Sequence, residues 1–198
     1  MSKREKPDFY AEKARKEGYP ARSVYKLEEI QKKFNIIRPG YKIIDIGASP
    51  GSWTMYALKL TKGMGLVVGA DLKPMELKKS YPNFLFMQGD IFKEETISFL
   101  AEKGPYDTIL SDAAPATTGN RTIDTGRSYS LVEQIIGLSD PLLKKGGSMV
   151  LKIFQGADDK ELSDYMKTIF ENVKIFKPKA VRKESFETYF IGMGYKGI

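Results

Sequence analysis

The residue that most invites a chemical reading is Lys152. It stands in the run GSMVLKIF at 147–154, flanked by Val150, Leu151, Ile153 and Phe154, a composition that reads as a strand apolar on both faces. An unpaired ammonium in such surroundings is costly, so the lysine calls for an acid beside it. Asp112 closes another apolar strand, 106–111, inside the run SDAAP, and is the partner this order of elements offers. Ionisable groups set into apolar strands gather at active sites; the plainer reading is a strand-end lysine whose stem reaches solvent. The chain contains neither histidine nor cysteine. Proton transfer therefore falls to Lys, Asp, Glu, Tyr or water, and disulfides, thiol nucleophiles and Cys-zinc sites are excluded.

A second constellation concerns ligand binding. In KIIDIGASPGSWT, 42–54, Ile43, Ile44 and Ile46 read as a buried strand. Gly47 and Gly51 free the backbone to turn sharply and approach a ligand. Ser52 is placed to cap the helix that carries Trp53, Met55, Tyr56 and Leu58. Strand, glycine turn and helix open a doubly wound α/β domain, whose ligands lie at the strands' carboxyl ends. The glycine spacing does not fit G-x-G-x-x-G, which argues against a dehydrogenase pyrophosphate loop. Asp71 ends a second apolar strand about 20 residues beyond the loop, where an acid in this architecture takes ribose hydroxyls. Its carboxylate would repel a phosphorylated sugar, so adenosine fits better. Asp90, after a third strand, could accept from the adenine amine between Leu72 and Ile91. The expected ligand cleft is thus Gly47, Gly51, Trp53, Asp71, Asp90 and Asp112.

The remaining periodicities supply the elements that hold these groups. Helices are predicted at 22–34, 93–102, 129–143 and 157–170, with Lys145, Gly146 and Gly147 stopping the third. Pro7 can start a short helix that Gly18 ends. Strands are predicted at 65–71, 83–90, 106–111, 147–154, 173–176 and 188–195; the last two read as a hairpin, making the final strand antiparallel. The segment 116–125, rich in Thr, Gly and Asn, reads as a mobile loop. By themselves Lys26, off the apolar stripe of its helix, and Glu187, where the last strand begins, read as surface charges.

The acid followed by GASPGSW resembles the first motif of S-adenosylmethionine methyltransferases, and more narrowly the D-[LI]-G-A-x-P-G-[GS]-W of the FtsJ/RrmJ family of RNA ribose 2′-O-methyltransferases. ARS-x-x-KL-x-EI around Lys26, the SDAAP run and SFETY around Glu187 resemble the same family's further motifs. Ser49 and Ser52 stand where many relatives have Ala and Gly, both small replacements. The resemblance implies a Rossmann-like α/β fold over 1–198, a seven-stranded mostly parallel sheet with an antiparallel last strand and helices on both faces. It implies S-adenosylmethionine as cofactor, no metal, and a catalytic set of Lys26, Asp112, Lys152 and Glu187. Lys152 would take the ribose 2′-hydroxyl, Asp112 and Glu187 would hold the lysines, and Lys26 would position Lys152 or a substrate phosphate. It implies an RNA substrate, foremost a uridine of large-subunit ribosomal RNA, with tRNA as the alternative.

Composition agrees with such a partner. Lys and Arg number 32 against 25 acids, a formal net charge of +7, which favours a polyanion. Basic residues and aromatics are interleaved over 1–22, an extension suited to RNA, although a solvated terminus reads the same way. Arg121, Arg127 and the basic 178–185 segment could reach further phosphates. No apolar run approaches a membrane span and the N-terminus lacks a signal peptide's apolar segment, so a cytoplasmic protein is expected, and nothing demands more than a monomer. A methyltransferase of another class would show no basic face beside its cleft.

Overall fold

The computed structural model describes residues 8–75, 77, 79–156 and 159–197. Seven strands form one sheet: β1 (Lys42–Ile46), β2 (Leu66–Asp71), β3 (Phe84–Gln88), β4 (Tyr106–Ser111), β5 (Leu143–Phe154), β6 (Phe170–Phe176) and β7 (Glu187–Tyr195), in the order β3-β2-β1-β4-β5-β7-β6. β1 to β5 pair in parallel, whereas β7 is antiparallel to both β5 and β6. The hairpin thus folds its second strand inward and leaves β6 at the edge.

Alternation along the strands builds two cores. On one face Ile43, Val67, Leu110, Val150, Tyr189 and Ile191 pack with Leu27 and Ile30 of α2 (Val24–Phe34) and Trp53 and Ala57 of α3 (Ser52–Thr61). On the other, Ile44, Val68, Ile109, Leu151 and Phe190 meet Leu100 of α4 (Glu94–Lys103), Val132 and Ile135 of α5 (Arg121–Gly137) and Met166 of α7 (Asp159–Ile169). Residues i and i+2 share a face of a strand, so one strand serves both cores, each fully buried Leu or Ile contributing about 1.5–3 kcal/mol. The short α6 (Ser139–Leu142) leads directly into β5.

Ahead of α2, α1 (Phe9–Lys16) is docked rather than frayed. Asp8 caps it, accepting from the Tyr10 and Ala11 N–H groups, and also pairs with Arg22 of the turn that follows. Ala14 is buried, and the Tyr10 ring lies 5.4 Å from that of Tyr25. Gly18, at φ 81°, turns the chain out of the helix as expected. The proposed start at Pro7 and the basic residues Lys3, Arg4 and Lys6 lie outside the described residues.

Three local expectations are corrected. Residues 121–125 are helical, because Asn120 caps α5 through the N–H groups of Thr122 and Ile123. Asp124, buried in the first turn, accepts from Thr118 N (2.7 Å), Thr118 Oγ1 (2.9 Å) and Gly119 N (3.1 Å), tying down the segment before the helix. Gly146 and Gly147 stop no helix: they lie within β5, where the register with β4 shifts between Tyr106 and Thr108, and a Cβ on Gly147 would meet Lys144 O at 2.7 Å. Ser52 does not cap α3, whose N-cap is Gly51. Its hydroxyl instead accepts from Ala21 N (2.8 Å) and donates to Ala21 O (3.1 Å), fastening the α1–α2 connection onto α3.

Candidate active site

β1 and β4 are neighbours at the centre of the sheet, and the chain leaves them in opposite directions, so their carboxyl ends open a crevice. A cavity of about 500 Å³ lies there. Gly47, Asp71, Asp90, Asp112 and Lys152 line it, with Leu72 and Ile91 as apolar walls. Gly47 is required by a close approach: its φ is 75°, and a Cβ would stand 2.7 Å from Ala113 Cβ and 2.9 Å from Ala113 Cα. Asp71 organises the rim, one oxygen accepting from Ser49 N at 2.9 Å and the other from Lys73 N at 2.8 Å. Each carboxylate oxygen keeps a further lone pair for a ligand hydroxyl. Asp90 turns the chain at the opposite wall by accepting from Phe92 N.

Gly51 and Trp53 are placed elsewhere. Neither lines the cavity. Gly51, at φ 106°, makes the turn into α3, with Leu77 and Met75 packed beneath it. Trp53 is 3% exposed, its indole N–H donating to Ser23 O at 2.8 Å and its ring 5.8 Å from that of Tyr189. The turn of α3 carries it towards α2 and the sheet, behind the charged groups rather than among them.

Those groups converge from four elements. Pairing of Leu110 with Val150 and Ser111 with Leu151 carries Asp112, just past β4, to the side of Lys152 on β5. Lys152 Nζ stands 3.2 Å from Asp112 Oδ1 and also donates to the Asp112 carbonyl. Lys26 reaches in from α2, 2.5 Å from Glu187 Oε1 and 3.8 Å from Asp112 Oδ1. Glu187 is carried to the cleft by its pairing with Phe154. The neighbouring acids of α2 are occupied otherwise: Glu28 pairs with Lys32, and Glu29 accepts from the N–H groups of Lys179 and Ala180. All four side chains of the cluster are between 11% and 17% exposed. Two cations face two anions, which is what permits such burial.

One member was not foreseen as a site residue. Tyr189 is fully buried and donates to Asp112 Oδ1 at 2.7 Å. Burial, then the carboxylates of Asp112 and Glu187, hold its phenol well above the ordinary range, so it remains a donor. It lies two residues after Glu187 on one strand, hence on the same face, and that spacing was the available signal. Asp45 is fully buried in β1, accepts from Thr54 Oγ1 at 2.6 Å, and leaves Oδ1 without a hydrogen bond. Burial, and then the charges of Asp112 and Asp71, raise its pKa to about 7.

A basic rim flanks the cluster. Arg22 donates to Ala180 O and pairs with Asp8, and Arg182 lies 3.7 Å from the same Asp8, so α1 and the 178–185 segment are clamped together. A cavity of about 370 Å³ opens there between Arg22, Lys26, Arg182 and Glu187. Arg121 lies over the Phe186 ring, next to Glu187, and Arg127 reaches Ala116 O at 3.5 Å.

Comparison with known proteins agrees with this arrangement. The family model described as FtsJ-like methyltransferase matches residues 19–195. A Treponema denticola protein named ribosomal RNA large subunit methyltransferase E is 48% identical over 196 residues, covering 99% of this chain and 98% of that one. A Desulforapulum autotrophicum protein of the same name is 48% identical over 96% of this chain and 93% of its own. Among solved structures, a Plasmodium falciparum chain described as a ribosomal RNA methyltransferase superposes with a TM-score of 0.80 at 30% identity, covering 91% of this chain and 100% of that one. A Methanococcus jannaschii fibrillarin, 21% identical with a TM-score of 0.58 over 82% of this chain and 70% of its own, shares the fold. The chain belongs to the FtsJ-like methyltransferase family.

Proposed function

We propose that this protein transfers the methyl group of S-adenosylmethionine to a ribose 2′-hydroxyl of RNA, and that the RNA is large-subunit ribosomal RNA, methylated at a uridine. The observation that carries the reading is the joining of Lys26, Asp112, Lys152 and Glu187 into one cluster, with Asp112 and Lys152 lining the 500 Å³ cavity and Lys26 and Glu187 the 370 Å³ one. The names of the relatives support the choice of RNA.

The cavity fits the cofactor by the chemistry of its lining. Three carboxylates, Asp71, Asp90 and Asp112, with apolar walls suit hydroxyls, an exocyclic amine and a cationic centre, and would repel a phosphate. Asp71 would take the ribose hydroxyls, Asp90 the adenine amine, and Leu72 and Ile91 the faces of the base. When bound, the cofactor supplies an electrophilic methyl group on a sulfonium.

The chain's own residues must then hold a ribose hydroxyl in line and draw off its proton, because a protonated hydroxyl is a poor nucleophile. Lys152 Nζ donates to Asp112 O and stands 3.2 Å from a second acceptor, Asp112 Oδ1. As an amine it would satisfy both with its two N–H bonds and turn its lone pair to the hydroxyl, taking the proton. As an ammonium it would turn its third N–H outward, orienting the oxygen and stabilising the developing alkoxide. In both versions Asp112 aims the lysine. Tyr189 and Lys26 aim Asp112, and Glu187 holds Lys26.

RNA would cross the rim formed by α1, Arg22, the 178–185 segment, Arg121 and Arg127, with the protein acting as a monomer in the cytoplasm. The test is incubation with labelled S-adenosylmethionine and unmodified large-subunit ribosomal RNA, followed by digestion to nucleosides. Label in 2′-O-methyluridine is the expected result. Label on a base, on tRNA alone or on protein would overturn the substrate assignment.

A further inference from the structure

A second cavity, of about 340 Å³, shares no lining residue with the first. Its walls are Tyr19 and Pro20 from the α1–α2 connection, Met55 from the first turn of α3, and Leu77 and Tyr81 from the segment between β2 and β3. Arg15 and Lys79, both exposed, stand at its edge. We propose that this cavity is a nucleotide subsite that takes an unpaired base of the RNA other than the one methylated. The inference rests on the RNA reading given above.

Three observations point to such an occupant. First, the lining chemistry is amphipathic in the manner of a base: Tyr19 and Tyr81 supply phenols, while Met55, Leu77 and Pro20 supply apolar surface. Single-stranded RNA is read largely by stacking splayed bases on aromatic side chains. Secondly, the edge is cationic. Arg15 belongs to the basic last turn of α1 with Lys13 and Lys16, so a nucleotide seated here would have its phosphate near positive charge. The one acid of the lining, Glu17, is engaged by Tyr25 Oη at 3.0 Å and Lys13 at 3.8 Å. Thirdly, the part of the wall formed by the α1–α2 connection and Leu77 is braced in advance. Ser52 holds Ala21 by two hydrogen bonds, Tyr19 N donates to Ala14 O at 2.9 Å, and Leu77 packs beneath Gly51. A preformed wall costs little ordering on binding. Burial, then Glu17 and Glu28, hold the Tyr19 phenol above its ordinary range, so the ring stays neutral for stacking.

The experiment measures kinetics on deproteinised, unmodified large-subunit ribosomal RNA with three variants: Tyr81→Ala, Tyr81→Phe and the surface pair Arg15→Glu with Lys79→Glu. Loss of one stacking platform should raise the KM for RNA about fivefold or more in Tyr81→Ala. The charge reversals should do at least as much. Tyr81→Phe, which keeps the ring, should stay near wild type. All three should retain the wild-type affinity for S-adenosylmethionine and the wild-type kcat at saturating RNA. A wild-type KM in Tyr81→Ala would overturn the subsite, whatever the charge-reversed pair does. So would a defect confined to assembled ribosomal particles, which would assign the cavity to a protein partner. Should the wild type bind this RNA yet form no 2′-O-methylated nucleoside, the reaction assignment would fall; weaker filter binding by the variants would still support the subsite.

Discussion

Asp45 ties the stability of the fold to pH in a direction opposite to that of most carboxylates. The group is fully buried, accepts from the Thr54 hydroxyl at 2.6 Å, and feels the negative charges of Asp112 and Asp71. Its pKa rises from 3.8 in the free side chain to about 7, burial being the largest cause. Between those values the folded protein keeps the proton while the unfolded chain has lost it. The unfolded state therefore binds fewer protons, and stability falls as pH rises through this window. The full contribution is present below pH 4, declines by up to about 1.4 kcal/mol per pH unit, and levels off above pH 7. A displacement of about three units corresponds to roughly 4 kcal/mol, a large share of a domain's usual 5–15 kcal/mol.

The perturbation that exposes this is Asp45→Asn, which keeps the shape and cannot ionise. Its amide will sit where Asp45 Oδ1 now has no hydrogen bond, so a constant cost of about 1–3 kcal/mol is expected at every pH. The informative quantity is the slope. Urea unfolding from pH 4 to pH 8 should give a wild-type minus variant difference that falls steadily to pH 7 and then stays flat. Taking the difference cancels carboxylates with the opposite dependence, such as Asp124, whose pKa is lowered chiefly by the Thr118 N–H. Parallel profiles for the two proteins between pH 4 and pH 7 would refute the reasoning and mean that Asp45 is ionised in the fold.

Three further outcomes bear on the active site. Lys152→Ala should leave cofactor affinity nearly intact and slow single-turnover methyl transfer at least 100-fold or so, the range for a positioned proton acceptor; rates near wild type would remove Lys152 from the chemistry. Lys152→Arg should match alanine if the lysine takes the proton and retain some activity if it only orients the hydroxyl, since arginine cannot deprotonate. Asp71→Ala should weaken S-adenosylmethionine binding by about 1–3 kcal/mol in calorimetry, an unchanged affinity excluding it from the pocket. RNA affinity should fall steeply with salt, and charge reversal at Arg121, Arg127 or Arg182 should lower the slope by about 0.7–0.9 for each phosphate no longer neutralised; an unchanged slope would take that residue off the RNA path.

What the sequence made legible follows from how far apart the relevant causes lie. Lys152 and Asp112 were readable because a charge in an apolar strand is a local anomaly, and the order of strands supplied its partner. The same anomaly is present in Asp45, an acid within KIIDI, but two residues before a glycine turn such an acid reads as part of the loop's motif. Tyr189 was hidden by its type, since a tyrosine in a strand ordinarily signals core. Trp53 was misplaced because a helix's first turn decides which way a side chain points, and that depends on Gly51 at φ 106° rather than on sequence spacing. The loop before α5 looked mobile by composition; Asn120 and Asp124, each using one carbonyl or carboxylate group for several N–H donors, make it ordered. Lys26 and Glu187 carried meaning only through resemblance, because their contact depends on how α2 lies over the end of the sheet.

That last contact depends on the direction of β7. In a parallel sheet every strand ends at the cleft and begins at the opposite edge, so a residue that opens a parallel strand lies far from the chemistry. With about 3.3 Å per residue, nine residues separate the two edges by roughly 30 Å. Glu187 opens β7, yet it sits beside Phe154, the residue that closes β5. Antiparallel insertion of β7 between β5 and β6 is what brings the beginning of a strand to the carboxyl edge. It also gives Tyr189, one side-chain repeat further in, direct access to Asp112. The β6–β7 hairpin is thus part of the candidate site's construction: without the reversal, Lys26 would meet Asp112 alone, and two largely buried cations would share one carboxylate.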